Sequence, residues 1–330
     1  MEGWTSMKWM LLAGVVGALL RSSTGALADD YPSRPITMVV PLSAGGSTDV
    51  IARIMASGMS KVLGQTVVVE NMGGAGGTIA GARVAHATPD GYTFAIGQWG
   101  TNVATGAIYS LNYDLMRDFE PIGLIATQPF LIAARKSLPA DNLTQLIAWL
   151  RANNNKATAG NSGVGSPSHI AAVLFEKAVG ANLVMVPYRG AGESTQALVG
   201  EQIDVLLNTP AISISLMRSG QIKVYAVTSK QRLATAPDIP TTDEAGLPGY
   251  YFSFWHAFWA PKGTPKAIVD KLNDALVKTL SEPETRTKLI DLAQEIFPRE
   301  EQSPEQLRKY QQSEIDKWWP IIKAANVKPE

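Results

Sequence analysis

The 330-residue sequence predicts an α/β fold built as two domains. Three observations carry that expectation. Short β-like apolar runs alternate with amphipathic stretches of helical period, the pattern of sheets covered by helices. A unit of strand, Gly/Ser loop and helix start occurs twice, once in each half of the chain. Roughly 300 residues remain once an N-terminal segment is set aside, enough for two domains of ordinary size.

That segment comes first in order. Lys8 precedes an uncharged apolar run from Trp9 to Leu20, too short to span a bilayer comfortably. Ala26-Leu27-Ala28 follows as a small-x-small cleavage site. This is the order of a secretory signal peptide over 1–28, which puts the mature start near Asp29 and the mature, soluble chain outside the cytoplasm.

The first strand, 36–41, runs into Ser43-Ala-Gly-Gly-Ser-Thr-Asp49. Ile51, Ile54, Met55, Met59 and Val62 then recur on one side of a helix that Gly64 ends. Further strands are expected at 66–70, 92–96, 130–134, 156–160, 183–188, 203–207 and 224–228, with Thr88-Pro-Asp-Gly91 as a turn. The second unit has a strand end at Thr158-Ala-Gly160 and a loop, Asn161-Ser-Gly-Val-Gly165. Ser166 is its N-cap and Pro167 stands at N1 of a helix over 168–179, with Gly180 after it. The last third is mostly helical, with starts at Thr264-Pro265 and Ser303-Pro304. Leu307, Tyr310, Ile315, Trp318 and Trp319 recur there at roughly helical spacing, and the tryptophans are read as packing. The C-terminal helix is expected to strap back onto the first domain.

The two loops suit a negative charge. Glycines let the backbone approach a ligand closely. A helix start leaves N–H groups without intrahelical partners and adds about half a positive charge. Ser43, Ser47 and Thr48 add hydroxyl donors. Asp49, in the first helical turn, either favours that helix's dipole or orients neighbouring N–H groups. Ligands of open α/β sheets sit at the carboxyl ends of strands, so two facing loops would clamp an anion between two domains.

Other chemistries find less support. Removing Lys8 and Arg21 from the 29 basic residues and Glu2 from the 29 acidic ones leaves 27 and 28. That balance argues against nucleic acid and against a polybasic membrane contact. Without cysteine there is no disulfide, thiol catalysis or thiolate metal site. His86, His169 and His256 lie outside metal-ligand spacing. The cluster Gly73-Gly-Ala-Gly-Gly77 fails the dinucleotide fingerprint, because Ile79 stands where the third glycine should be; a glycine-rich turn that borders the cleft is the better account. No cofactor is expected. Ser162, His169 and Asp49 can be written as a hydrolase triad, but Gly160-Asn-Ser162-Gly-Val164 lacks the second glycine of a nucleophile elbow. His169 is either a donor facing the cleft or solvated.

The residues reached so far resemble a known family over nearly all of the mature chain. The markers are Tyr31-Pro-Ser-Arg-Pro35-Ile, Val40-Pro-Leu-Ser-Ala-Gly-Gly-Ser-Thr-Asp49, Val69-Glu-Asn-Met-Gly-Gly-Ala-Gly-Gly77 and Pro89-Asp-Gly-Tyr92. They continue with Asp118-Phe-Glu-Pro-Ile122, Ser162-Gly-Val-Gly-Ser-Pro-Ser-His169, Val186-Pro-Tyr-Arg-Gly190, Ala226-Val-Thr-Ser229 and Ala260-Pro-Lys-Gly-Thr-Pro265. Each alone is weak; nine in order are specific. The chain resembles the substrate-binding receptors of tripartite tricarboxylate transporters, the TctC-like or Bug receptors of bacterial periplasms.

The resemblance implies a type II periplasmic binding protein, a two-domain Venus flytrap with two crossover segments near 125–130 and 251–259. Residues 29–128 with 252–330 would form one domain and 129–251 the other. It implies a ligand carboxylate held by Ser43, Ala44, Gly45, Gly46, Ser47 and Thr48, with Asn161, Ser162, Ser166 and His169 closing over it. Trp99, Tyr188 and Asn208 are expected to border the cleft and set selectivity. Three positions depart from the family's habit: the large indole of Trp99, an amide at Asn208 where an acid is common, and His256 where Tyr or Gly is common. The missing acid at 208 disfavours an amino-acid ligand. Trp99 with Phe252 and Trp255 either walls the cleft or packs the hinge and core. The function implied is that of a non-enzymatic, monomeric periplasmic receptor. It would deliver a small carboxylate, aromatic like terephthalate or aliphatic like adipate, to a tripartite tricarboxylate-type permease. A periplasmic sensor with the same clamp, or a Ser162/His169 hydrolase, are the alternatives.

Overall fold

The computed structural model describes residues 31–324 and Val327; the signal-peptide expectation for 1–28 lies outside the described residues. Among these described residues eleven strands form two sheets. In chain order they are β1 (Ile36–Val40), β2 (Val67–Asn71), β3 (Thr93–Gln98), β4 (Phe119–Pro129), β5 (Leu131–Arg135), β6 (Thr158–Asn161), β7 (Val184–Pro187), β8 (Val205–Asn208), β9 (Ile222–Val227), β10 (Ser253–Pro261) and β11 (Glu295–Ile296). The first sheet has the order β11-β4-β10-β3-β1-β2 and the second β7-β6-β8-β5-β9. Both are mixed. β1 pairs in parallel with β2 and β3, and β6 with β7 and β8, whereas β10 and β5 run antiparallel to their neighbours.

The eight expected strands form with ends shifted by two residues or fewer. The segments expected as crossovers, 125–130 and 251–259, contain the passages between the sheets at Phe130 and Phe252, but most of each is strand. Residues 119–129 and 253–261 are long strands, β4 and β10, paired with one another inside the first sheet. Both are buried on two faces, so neither shows the apolar/polar alternation that marks a half-exposed strand. Pro121 sits where the register of β4 slips against β10, which is how the ladder tolerates it.

The chain passes from the first sheet to the second at Phe130, between β4 and β5, and returns through 228–252. Thr228 laces these two passages together. Its N–H donates to the Phe130 carbonyl at 2.9 Å, its Oγ1 accepts from Phe130 N–H at 2.8 Å and donates to the Phe252 carbonyl at 2.6 Å, and Phe252 N–H donates back to the Thr228 carbonyl at 3.1 Å. Nearby, Ala293 lies at φ 55° in the turn before β11 and sits among Leu131, Ile214, Val227, Leu233, Ala236 and Ile239 of the second sheet's side.

Local signals build the helices that matter. Ser47–Leu63 buries Ile51, Met55 and Met59 against the first sheet and ends at Gly64, φ 68°. Pro167–Val179 is capped by Ser166, whose Oγ accepts from His169 N–H, and ends at Gly180, φ 66°. Pro304–Ala324 straps the first sheet. Its Glu314 accepts from the indoles of Trp255 and Trp318, and its Gln311 accepts from Trp259 and donates to the carbonyls of Asn102 and Leu115. Buried indoles need such partners, so this helix completes the core as well as covering it.

Candidate ligand cleft

Between the two sheets lies a cleft of about 900 Å³. The turn after β1, the glycine turn after β2 and the turn after β3 line it from one side; the loops after β6, β7 and β8 line it from the other.

The first loop is built around Asp49. The residue before the helix, Gly46, has no side-chain cap, so the first-turn N–H groups of Ser47 and Thr48 open toward the cleft. Asp49 turns the other way and is buried. Its carboxylate accepts from Gly45 N–H at 2.9 Å, from Asn71 Nδ2 at 3.0 Å and from Arg53 Nε at 3.1 Å. Burial alone would raise its pKa, but the Arg53 guanidinium, Gly45 N–H and Asn71 amide outweigh that and hold it below the usual carboxylate value. Asp49 therefore spends its charge on shaping the loop. Asp49→Ala is expected to destabilise the fold by about 1–3 kcal/mol, read by chemical denaturation, because Gly45 N–H and Asn71 lose their acceptor. The sign for acid follows from the lowered value: the stabilisation is full above the unfolded value of 3.8 and is lost as pH falls through the lower folded one.

Gly77, at φ 91°, holds the glycine turn close to β1. A Cβ there would sit 2.7 Å from Thr101 Cγ2 and 3.2 Å from the Pro41 carbonyl oxygen. The turn 73–77 lies on the cleft wall, where close backbone approach is its use.

The second loop is a chain of hydroxyls. Ser162 N–H donates to Ser168 Oγ at 2.9 Å; Ser168 Oγ lies 3.1 Å from both Ser162 Oγ and Ser166 Oγ. All three serines line the cleft. Gly165, at φ 78°, reaches across to the first side, where a Cβ would lie 2.8 Å from Ile108 Cδ1.

Of the residues expected at the site, Ser43, Ala44, Gly45, Gly46, Ser47, Thr48, Ser162, Ser166, Tyr188 and Asn208 line one cleft. Three do not. Trp99 is fully buried, edge-on to Phe252 and Trp318 with centroids 5.5 and 5.2 Å away. The chain after β3 turns at once into a π-helical turn, Gly100–Ala104, which drives the indole beneath the sheet and leaves Gln98 and Gly100 on the wall. Asn161 is fully buried and its Oδ1 accepts from Gly163 N–H at 3.0 Å. His169 Nδ1 accepts from Gly165 N–H at 3.1 Å. Both brace the second loop from behind. Phe252 and Trp255 are core; Phe130 and Phe254 supply the apolar wall instead.

Sequence reasoning missed Ser168 and Arg189 at the site, and singled out His256 only as a departure from the family's habit. Arg189 stands in the marker Val186-Pro-Tyr-Arg-Gly190, so a signal for it existed. Among the described residues it is the only charged residue lining the cleft, and no Asp or Glu lines it. Asn208 is held by Thr195 Oγ1 at 2.8 Å, and its Oδ1 accepts from Thr209 N–H at 2.8 Å. The hydrolase arrangement does not form: Asp49 is bound to Gly45, Arg53 and Asn71, and His169 Nδ1 to Gly165. Among the described residues no group of three or more His, Cys, Asp or Glu could hold a metal ion, and no helix is long and apolar enough to cross a membrane.

Two α/β sheets joined by paired connections, with hydroxyl- and N–H-lined loops facing across a cleft, define a two-domain periplasmic binding protein. Residues 51–327 match the family described as "Tripartite tricarboxylate transporter family receptor", and the chain belongs to that family. Solved relatives agree in fold. The periplasmic binding protein BugD is 40% identical with a TM-score of 0.82, covering 90% of this chain and 100% of its own. MatC from Rhodopseudomonas palustris, with bound malate, is 37% identical with a TM-score of 0.81, covering 88% and 100%. Rpa4515 from R. palustris, with adipate, is 33% identical with a TM-score of 0.83, covering 90% and 99%. These relatives are solute-binding receptors, and the chain is a receptor rather than an enzyme.

Proposed function

We propose that this receptor works in the periplasm as a monomer, exported by the signal over 1–28. There it captures a small dicarboxylate, aliphatic like adipate or aromatic like terephthalate, for a tripartite tricarboxylate-type permease. One observation carries the reading: among the described residues the cleft offers hydroxyls, backbone N–H groups and a single arginine, and no acidic residue. An ammonium group would find no counter-charge there, whereas a carboxylate finds donors on both sides. The malate and adipate held by MatC and Rpa4515 support the same class.

One carboxylate sits against Ser43–Thr48 and the serines of the second loop. Arg189, across the cleft, takes the other. Residues 29–128 with 252–330 move as one domain against 129–251, and closure is stabilised by contacts made only when both sides engage. Charge-assisted hydrogen bonds contribute on the order of 1.5–3 kcal/mol each when well formed, so a few give micromolar affinity or tighter.

A thermal-shift and calorimetric screen of malate, adipate and terephthalate beside matching monoacids and diamines tests the class. A bound diacid at ~100-fold excess over its Kd should stabilise the fold by about 2.7 kcal/mol; stabilisation by diamines alone would sink the reading. Arg189→Gln should weaken diacids by roughly tenfold or more and leave monoacids unchanged.

A further inference from the structure

His256 lies in mid-strand β10, between β3 and β4, and is completely buried. Its ring stands edge-on to Phe254, 5.3 Å between centroids. Nε2 is 3.1 Å from Thr48 Oγ1, and Nδ1 has no hydrogen-bond partner. Burial keeps the ring neutral, with its pKa lowered to about 3, and no charged neighbour contributes to that shift. Two tautomers are then available. A proton on Nδ1 would leave a buried N–H without an acceptor and would oblige Thr48 to donate its hydroxyl into the ring. A proton on Nε2 leaves only a bare lone pair at Nδ1. Orphaned buried donors are rarer than under-satisfied acceptors, which favours the second arrangement.

We infer that His256 carries its proton on Nε2, donates it to Thr48 Oγ1, and so fixes the Thr48 hydroxyl as a donor aimed into the cleft. His256 is a positioning residue: it touches no solute, yet it decides what Thr48 can recognise. A hydroxyl whose oxygen is engaged by the imidazole offers its hydrogen to an acceptor, such as an ionised carboxylate oxygen. It is a poor host for an ammonium or for the O–H of a neutral acid. This explains how one side chain of the first loop discriminates by charge state without a charge of its own, and it rests on the carboxylate reading above.

Two measurements test it together. Imidazole nitrogen shifts in ligand-free, 15N-histidine-labelled protein report the tautomer; calorimetry with adipate compares wild type, Thr48→Val, His256→Phe and His256→Gln. The Nε2–H tautomer is expected. His256→Phe should weaken adipate by about tenfold. His256→Gln, which places an amide N–H near the Nε2 position, should restore binding to within a few-fold of wild type. His256→Phe added to Thr48→Val should cost nothing further, since both act on one hydrogen bond to the ligand. The Nδ1–H tautomer overturns the inference. So does wild-type affinity in His256→Phe or in Thr48→Val, or a His256→Gln as weak as His256→Phe. If wild type binds none of the carboxylates, the functional reading has failed, and the nitrogen shifts alone decide the tautomer. If His256→Phe does not fold, the shifts and His256→Gln still decide.

Discussion

Lowering the pH from 7 to 5 is expected to cost the folded protein roughly 2 kcal/mol through His256 alone. The folded pKa is lowered from 6.5 to about 3 by burial. Above pH 6.5 the ring is neutral in both states and its contribution is constant. Between those values the unfolded chain binds a proton that the fold refuses, so stability declines by about 1.4 kcal/mol per pH unit. Depressed carboxylates such as Asp49 act toward and below their unfolded values, whereas Glu176 and Glu295, raised by burial, act above 4.5 with the opposite sign. All are common to wild type and His256→Gln and cancel in the difference between them. Urea denaturation of wild type and His256→Gln at pH 7 and pH 5 measures the difference. The variant should lose most of the slope; an equal slope in both would mean that the ring is not held neutral in the fold.

Replacing Ser47 and Thr48 together by valine is expected to weaken dicarboxylate binding by roughly 10²–10⁴-fold, about 3–6 kcal/mol. Both residues line the cleft beside the uncapped helix start, and both hydroxyls are donors in the proposed carboxylate site. Valine keeps the shape of threonine and removes the donor. Ser47 is exposed and its loss should barely alter stability; Thr48 also loses its bond to His256, about 1 kcal/mol. Calorimetry set beside a denaturation curve separates the two effects. Retained affinity in a folded double variant would remove the first loop from the site.

What the sequence discloses here is what local chemistry controls. The caps at Ser166, Gly64 and Gly180 and the Gly/Ser loops depend on neighbours within a few residues, and they form where expected. β4 and β10 escaped because burial on both faces erases alternation, and because Pro121 and Pro129 look like breakers. Trp99 was placed by its position at a strand end, but its side chain follows a π-turn that no pattern of apolar residues announces. Asn161 and His169 were located in the right loop with the wrong facing, since hydrogen bonds to Gly163 and Gly165 turn them inward. The link between His256 and Thr48 spans 208 residues of sequence and exists only through sheet order. Nothing in either residue's neighbourhood along the chain points to the other.

The lacing at Thr228 has a mechanical consequence. Two independent tethers between rigid bodies would permit shear, splay and twist in any combination. Tethers bound to one another at Phe130, Thr228 and Phe252, with Ala293 packed beside them, would restrict the proposed closure toward a single rotation. A body restricted to one coordinate has little orientational freedom left to lose when it shuts. More of the interaction with the solute is then expressed as residence time, and less is dissipated in bringing the halves into line.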